Sequence, residues 1–78
     1  VITPLKRIRE KRGFTQRQVA TDNEIDPGNY SRIERGDDKL TPKKAERLSR
    51  YFGGAVTELE LLYPERFLVA PVDPDRAA

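Results

Sequence analysis

The sequence contains no cysteine and no histidine. Without cysteine there are no disulfides, no thiol redox chemistry and no thiolate metal sites. Without either residue, Ser-His-Asp and Cys-His nucleophilic arrangements cannot be assembled, and zinc loses its two preferred ligand types. Hydrolytic and zinc enzymes are therefore largely excluded. Long apolar runs are missing too: apolar and charged residues each make up 36% of the chain, and nothing approaches the roughly 18 apolar residues needed to span a bilayer. No signal-peptide pattern opens the sequence, so the expectation is a cytoplasmic protein. No glycine-rich phosphate loop is present either, and neither catalysis nor a cofactor is expected.

What is present is charge, unevenly placed. Seventy-eight residues carry a formal net charge of +2, yet residues 1–50 are +5 and residues 51–78 are −3. A basic front half suits a polyanionic partner. The length allows one small domain, which buries only about 60–65% of the surface its unfolded chain exposes.

Helix starts recur five times. Thr3, Thr15, Asp26, Thr41 and Thr57 are residue types that accept hydrogen bonds from N–H groups of a first helical turn. Pro4, Pro27 and Pro42 follow three of them, where the missing proline N–H is not needed. Thr15 with Gln18 and Thr57 with Glu60 read as capping boxes. Phe14 with Val19, Ile25 with Tyr30, Leu40 with Ala45, and Val56 with Leu61 read as hydrophobic staples. Gly13, Gly36 and Gly53 suit left-handed helix ends, and Pro64 closes the last segment. The spacing predicts helices over 4–12, 16–23, 27–35, 42–52 and 58–63. These make a compact all-α domain over 1–65, with an extended or disordered tail over 66–78. The apolar run Phe67 to Ala70, with Val72, is expected to cover the domain's own core or to serve as a dimer arm.

The third helix places Tyr30 and Ile33 on one face and Gly28, Ser31, Arg32 and Arg35 on the other, with Asn29 on the rim. Only Glu24, Ile25 and Asp26 separate it from the second helix, which suits a sharp helix-turn-helix corner. The stretch FTQRQVATDNEIDPGNYSRIERG, Phe14 to Gly36, resembles the helix-turn-helix of the lambda-repressor/Cro type, the XRE family. Thr15-Gln16, Ala20, Ile25 and Ser31-Arg32-Ile33-Glu34-Arg35-Gly36 match without a gap, and the likeness extends over roughly residues 4–62. Departures are Glu24 at the usual turn glycine and Asn23 at a usual apolar position, where Asn23 is expected to take the left-handed conformation. Pro27 and Gly28 stand where the family often places base-reading side chains. Asp37 and Asp38 put negative charge where the family approaches phosphate, either weakening binding or lying clear of the backbone.

The resemblance implies a double-stranded DNA-binding regulator, a homodimer, with Gln16 on a backbone phosphate and Arg17, Arg35, Lys39 and Lys43 near the same surface. A helix N-terminus favours an anion on physical grounds as well. Base reading falls to Asn29 and Arg32, since Asn pairs with adenine and Arg with guanine, and Gly28 permits close backbone approach. The alternative is a helical protein-interaction module, such as an antitoxin-like partner. Asp22, Glu24 and Asp26 alternate like calcium ligands, but Pro27 and Ile33 occupy the positions that need glycine and the bidentate acid. The family implies an ion pair between Arg9 and Glu34. Ala45, Leu48 and Phe52 are expected to meet Ile8, Val19 and Ile33 in the core.

Overall fold

A computed structural model describes residues 1–72. Five α-helices follow in order: α1 (Pro4–Arg12), α2 (Gln16–Asp22), α3 (Pro27–Arg35), α4 (Pro42–Tyr51) and α5 (Glu58–Leu62), then a 3-10 turn at Pro64–Arg66. Each start is capped as its sequence dictates, the cap side chain accepting from the backbone N–H three residues on. The reciprocal bond of a capping box forms at Thr57–Glu60. At Thr15 only half of it forms, from the Gln18 N–H to the threonine oxygen at 3.0 Å. A neutral, exposed amide competes less well against water than the Glu60 carboxylate does.

The α2–α3 turn corrects the expectation for Asn23. Its φ is −110°, and Glu24 takes the left-handed conformation with φ 56°. Asn23 is instead buried, and its Nδ2 donates to the Val19 carbonyl at 2.8 Å. A polar residue at a core position is thereby satisfied within its own helix. Glu24, free of that demand, absorbs the chain reversal in solvent.

The core is one cluster: Leu5, Val19, Ala20, Ile25, Tyr30, Ile33, Leu40, Ala45, Leu48, Phe52, Val56 and Leu61 are buried. Ile8, expected at its centre, packs at its edge with Phe14, Tyr51 and Leu62. All staple residues except Phe14 are buried, so the caps and the core share side chains. The tail returns to its own domain, where Ile2 and Val69 form an antiparallel bridge with bonds of 2.8 and 2.9 Å. The part of the expected tail beyond Val72 lies outside the described residues.

One charged pair crosses this core. Arg9 of α1 donates through Nε to both carboxylate oxygens of Glu34 of α3, at 3.0 and 2.9 Å, and through Nη2 to Oε1 at 2.8 Å. The Glu34 side chain is 0% exposed and that of Arg9 12%. Glu34 holds the guanidinium above its ordinary pKa, burial opposing. Beside the pair, the Tyr30 hydroxyl is buried with no hydrogen-bond partner among the described residues. Burial first, and then the charge of Glu34, raise its pKa above the ordinary 10.0.

Two outcomes are expected. Glu34→Gln strands the Arg9 charge and lowers stability by about 3 kcal/mol in a urea melt; an unchanged midpoint would show the pair to be dispensable. Tyr30 keeps its proton when folded and releases it near pH 10 when unfolded, so the unfolded state binds fewer protons there and stability falls as pH rises. Tyr30→Phe removes a buried hydroxyl that lies close to the Glu34 carboxylate. It should leave stability at pH 7 unchanged or raise it by up to about 1 kcal/mol, and lessen the alkaline loss. Parallel loss in both proteins between pH 9 and 11 would assign it to other groups.

Candidate nucleic-acid interface

Gly28 opens the outer face of α3 on the exposed side of the first turn. A Cβ built there would lie 3.2 Å from Asp26 Oδ2, the carboxylate that caps the helix by accepting from Asn29 N. Glycine at this position thus keeps room for the cap as well as leaving the backbone bare. Asn29 is half-buried and Arg32 exposed. The two are adjacent, with Arg32 Nη2 donating to Asn29 Oδ1 at 3.5 Å. A turn later, Arg35 Nη1 donates to Ser31 Oγ at 3.1 Å.

The acidic residues after α3 lie against these arginines. Asp37 Oδ2 is 3.1 Å from Arg35 Nε, and Asp38 Oδ2 is 3.9 Å from Arg32 Nε. Sequence spacing alone missed this pairing. Its signal was Gly36, whose left-handed φ of 86° reverses the chain and returns the next residues to the helix they have just left.

Gln16, at the start of α2, is tied inward. Its Nε2 donates to Glu34 Oε1 at 3.2 Å, and because a carboxylate only accepts, the amide nitrogen must face Glu34. Arg9 Nη1 also donates to the Phe14 carbonyl at 2.7 Å, which fixes the residue preceding the Thr15 cap. The ion pair therefore sets the placement of α2 against α3 as well as that of α1. Arg17 and Lys39 are exposed. Lys43 lines an open groove of about 500 Å³ with Asn23, Glu24, Lys44, Glu46, Arg47 and Arg50. No ion pair involves Arg17, Lys39 or Lys43 among the described residues. On that groove's rim Arg47 pairs with Glu24 at 3.3 Å, and Tyr51 donates to Asp22 at 2.7 Å, a bond that raises the tyrosine's pKa.

Among the described residues, no three or more Asp or Glu gather as they would to hold a metal ion, and no helix is long and apolar enough to cross a membrane. Asp22, Glu24 and Asp26 are spent on Tyr51, Arg47 and the α3 cap.

No curated protein and no solved structure matches the chain. The family described as Helix-turn-helix matches residues 5–59, which take in α2, the turn with Glu24 at its apex, and α3. With more than half its length so matched and five helices in this order, the chain belongs to the helix-turn-helix family of the lambda-repressor/Cro type, a family of DNA-binding regulators.

Proposed function

We propose that this protein is a sequence-specific transcriptional regulator that reads the major groove of double-stranded DNA with the outer face of α3. The observation that carries this is the adjacency of Asn29 and Arg32 on a helix face with no bulky apolar side chain. An amide and a guanidinium side by side can address an adenine and a guanine edge, and Gly28 keeps the first turn low. Gln16, Arg17, Arg35, Lys39 and Lys43 supply phosphate contacts, which give affinity without sequence information. Two copies, paired so that their α3 helices enter successive major grooves, form the binding unit.

Residues 1–65 are the DNA-binding domain in this proposal, and the tail from Arg66 serves its own chain. The Ile2–Val69 pairing supports that assignment over an arm exchanged between partners. A second function, as a protein-interaction module, is favoured by the exposure of Leu59 and Tyr63, at 52% and 41%. It would engage an apolar partner at the α5 end instead of DNA at α3.

Binding isotherms on a selected and a scrambled duplex, across a salt series, test the proposal. Arg32→Ala should cost about 1–3 kcal/mol per half-site on the selected sequence and little on the scrambled one. Lys43→Ala should weaken both alike and lower the salt slope by about one unit per lost phosphate contact. Equal losses on both duplexes for Arg32→Ala would remove it from base reading, and no wild-type binding at low salt would leave the protein-interaction function. Sedimentation of a chain ending at Glu65 should show the oligomeric state of the full chain. A shift from dimer to monomer would make the tail a dimer arm.

A further inference from the structure

We infer that Asp37 and Asp38 are intramolecular competitors for DNA: in the free protein Asp37 bonds Arg35 and Asp38 attracts Arg32 from beyond hydrogen-bond distance, so that binding exchanges a carboxylate neighbour for a nucleic-acid acceptor. This role presupposes the DNA binding proposed above and adds to it a restraint on the same surface.

The geometry begins with the end of α3. Gly36 in the left-handed conformation, and the bond from Asp37 N to the Arg32 carbonyl at 2.9 Å, fold the chain back along the last turn. Both carboxylates are thereby delivered to guanidinium groups that left the helix before them. Arg35 is held from two sides, by Asp37 at 3.1 Å and by Ser31 Oγ at 3.1 Å. Arg32 lies between Asp38 at 3.9 Å and Asn29 at 3.5 Å. Asp38 is itself oriented, its Oδ1 accepting from Lys39 N at 2.9 Å. Both guanidinium groups thus have acidic neighbours while their side chains remain half exposed.

A carboxylate satisfies a guanidinium as a phosphate does, with charge-assisted N–H···O bonds. It is therefore a competitor of the same chemical kind as the DNA backbone. The strength suits the role. The side chains of both pairs are roughly half exposed, 53% and 46% for Arg32–Asp38 and 56% and 62% for Arg35–Asp37, and pairs of this kind shift an equilibrium by no more than about fivefold. A duplex that releases counterions at several phosphates overcomes that, whereas a single stray anion does not. Arg17, Lys39 and Lys43 have no such carboxylate partner among the described residues, so the restraint falls on the arginines of the reading helix.

A double-mutant cycle tests this. Dissociation constants for a fluorescent mixed-sequence duplex are measured across a salt series for the wild type, Asp37→Asn, Arg35→Gln and the double variant, with thermal melts to confirm that these exposed changes leave the fold intact. Asp37→Asn should tighten binding about two- to fivefold and steepen the salt dependence as Arg35 becomes free to meet a phosphate. In the Arg35→Gln background the same substitution should change little. Equal tightening in both backgrounds would mean that Asp37 merely repels DNA at a distance, and would overturn the inference, as would no tightening at all. The cycle of Asp38→Asn with Arg32→Gln should show the same sign with a smaller coupling, and additivity there would remove Asp38 from the device. If the wild type fails to bind, binding by the Asp37→Asn/Asp38→Asn variant alone would support the restraint, and failure of both would overturn it together with the DNA-binding function.

Discussion

One buried carboxylate organises the molecule. Glu34 has no exposed side-chain surface, and an ionised carboxylate in such a place is tolerable only when its lone pairs are filled. The donors that fill them come from two other helices, Arg9 from α1 and Gln16 from α2. Its own backbone carbonyl accepts from the hydroxyl of Thr3, the α1 cap. The three helices must therefore arrive together, at one distance and one orientation, or leave a charge stranded. Apolar packing alone would permit small slides between helices. A bidentate guanidinium, with its fixed fork of donors, permits far fewer.

For the proposed DNA surface this matters because that surface is made of pieces that are not continuous in sequence. Gln16 and the outer residues of α3 hold a common frame through Glu34, and Arg9 ties the Phe14 carbonyl just before α2 into the same frame. Meanwhile the outer face of α3 stays short and polar. Its position depends on that rigid seating, since none of its own side chains is held by the core.

The helices were legible because each begins with a strong local signal. Threonine or aspartate followed by proline, an apolar residue on either side of the cap, and a glycine at the end are all instructions carried within a few residues, and α1 to α5 begin where those signals place them. The buried pair was legible from two signals together, the place of Arg9 and Glu34 at the borders of apolar faces and the family resemblance. Three features escaped. Glu24 took the turn conformation because Asn23 found a carbonyl partner one turn back, a contest between two neighbours that propensity does not decide. Val69 paired with Ile2 because two distant segments met. The Asp37 and Asp38 pairings depended on the direction in which the chain leaves Gly36. The positions of Asn29 and Arg32 on α3 were foreseeable from helical spacing and that of Gln16 from the family resemblance, but their partners were not, because a partner is a property of tertiary geometry.

The bridge between Ile2 and Val69 also gives the domain a mechanical character. Because the bridge is a single residue pair, tension drawing Ile2 away from Val69 falls on just their two mutual hydrogen bonds. Beyond the bridge the same load reaches Thr3, whose hydroxyl is bonded to the Glu34 carbonyl of α3. The bridge is thus the first link such a load meets, and the tie from Thr3 to α3 the next.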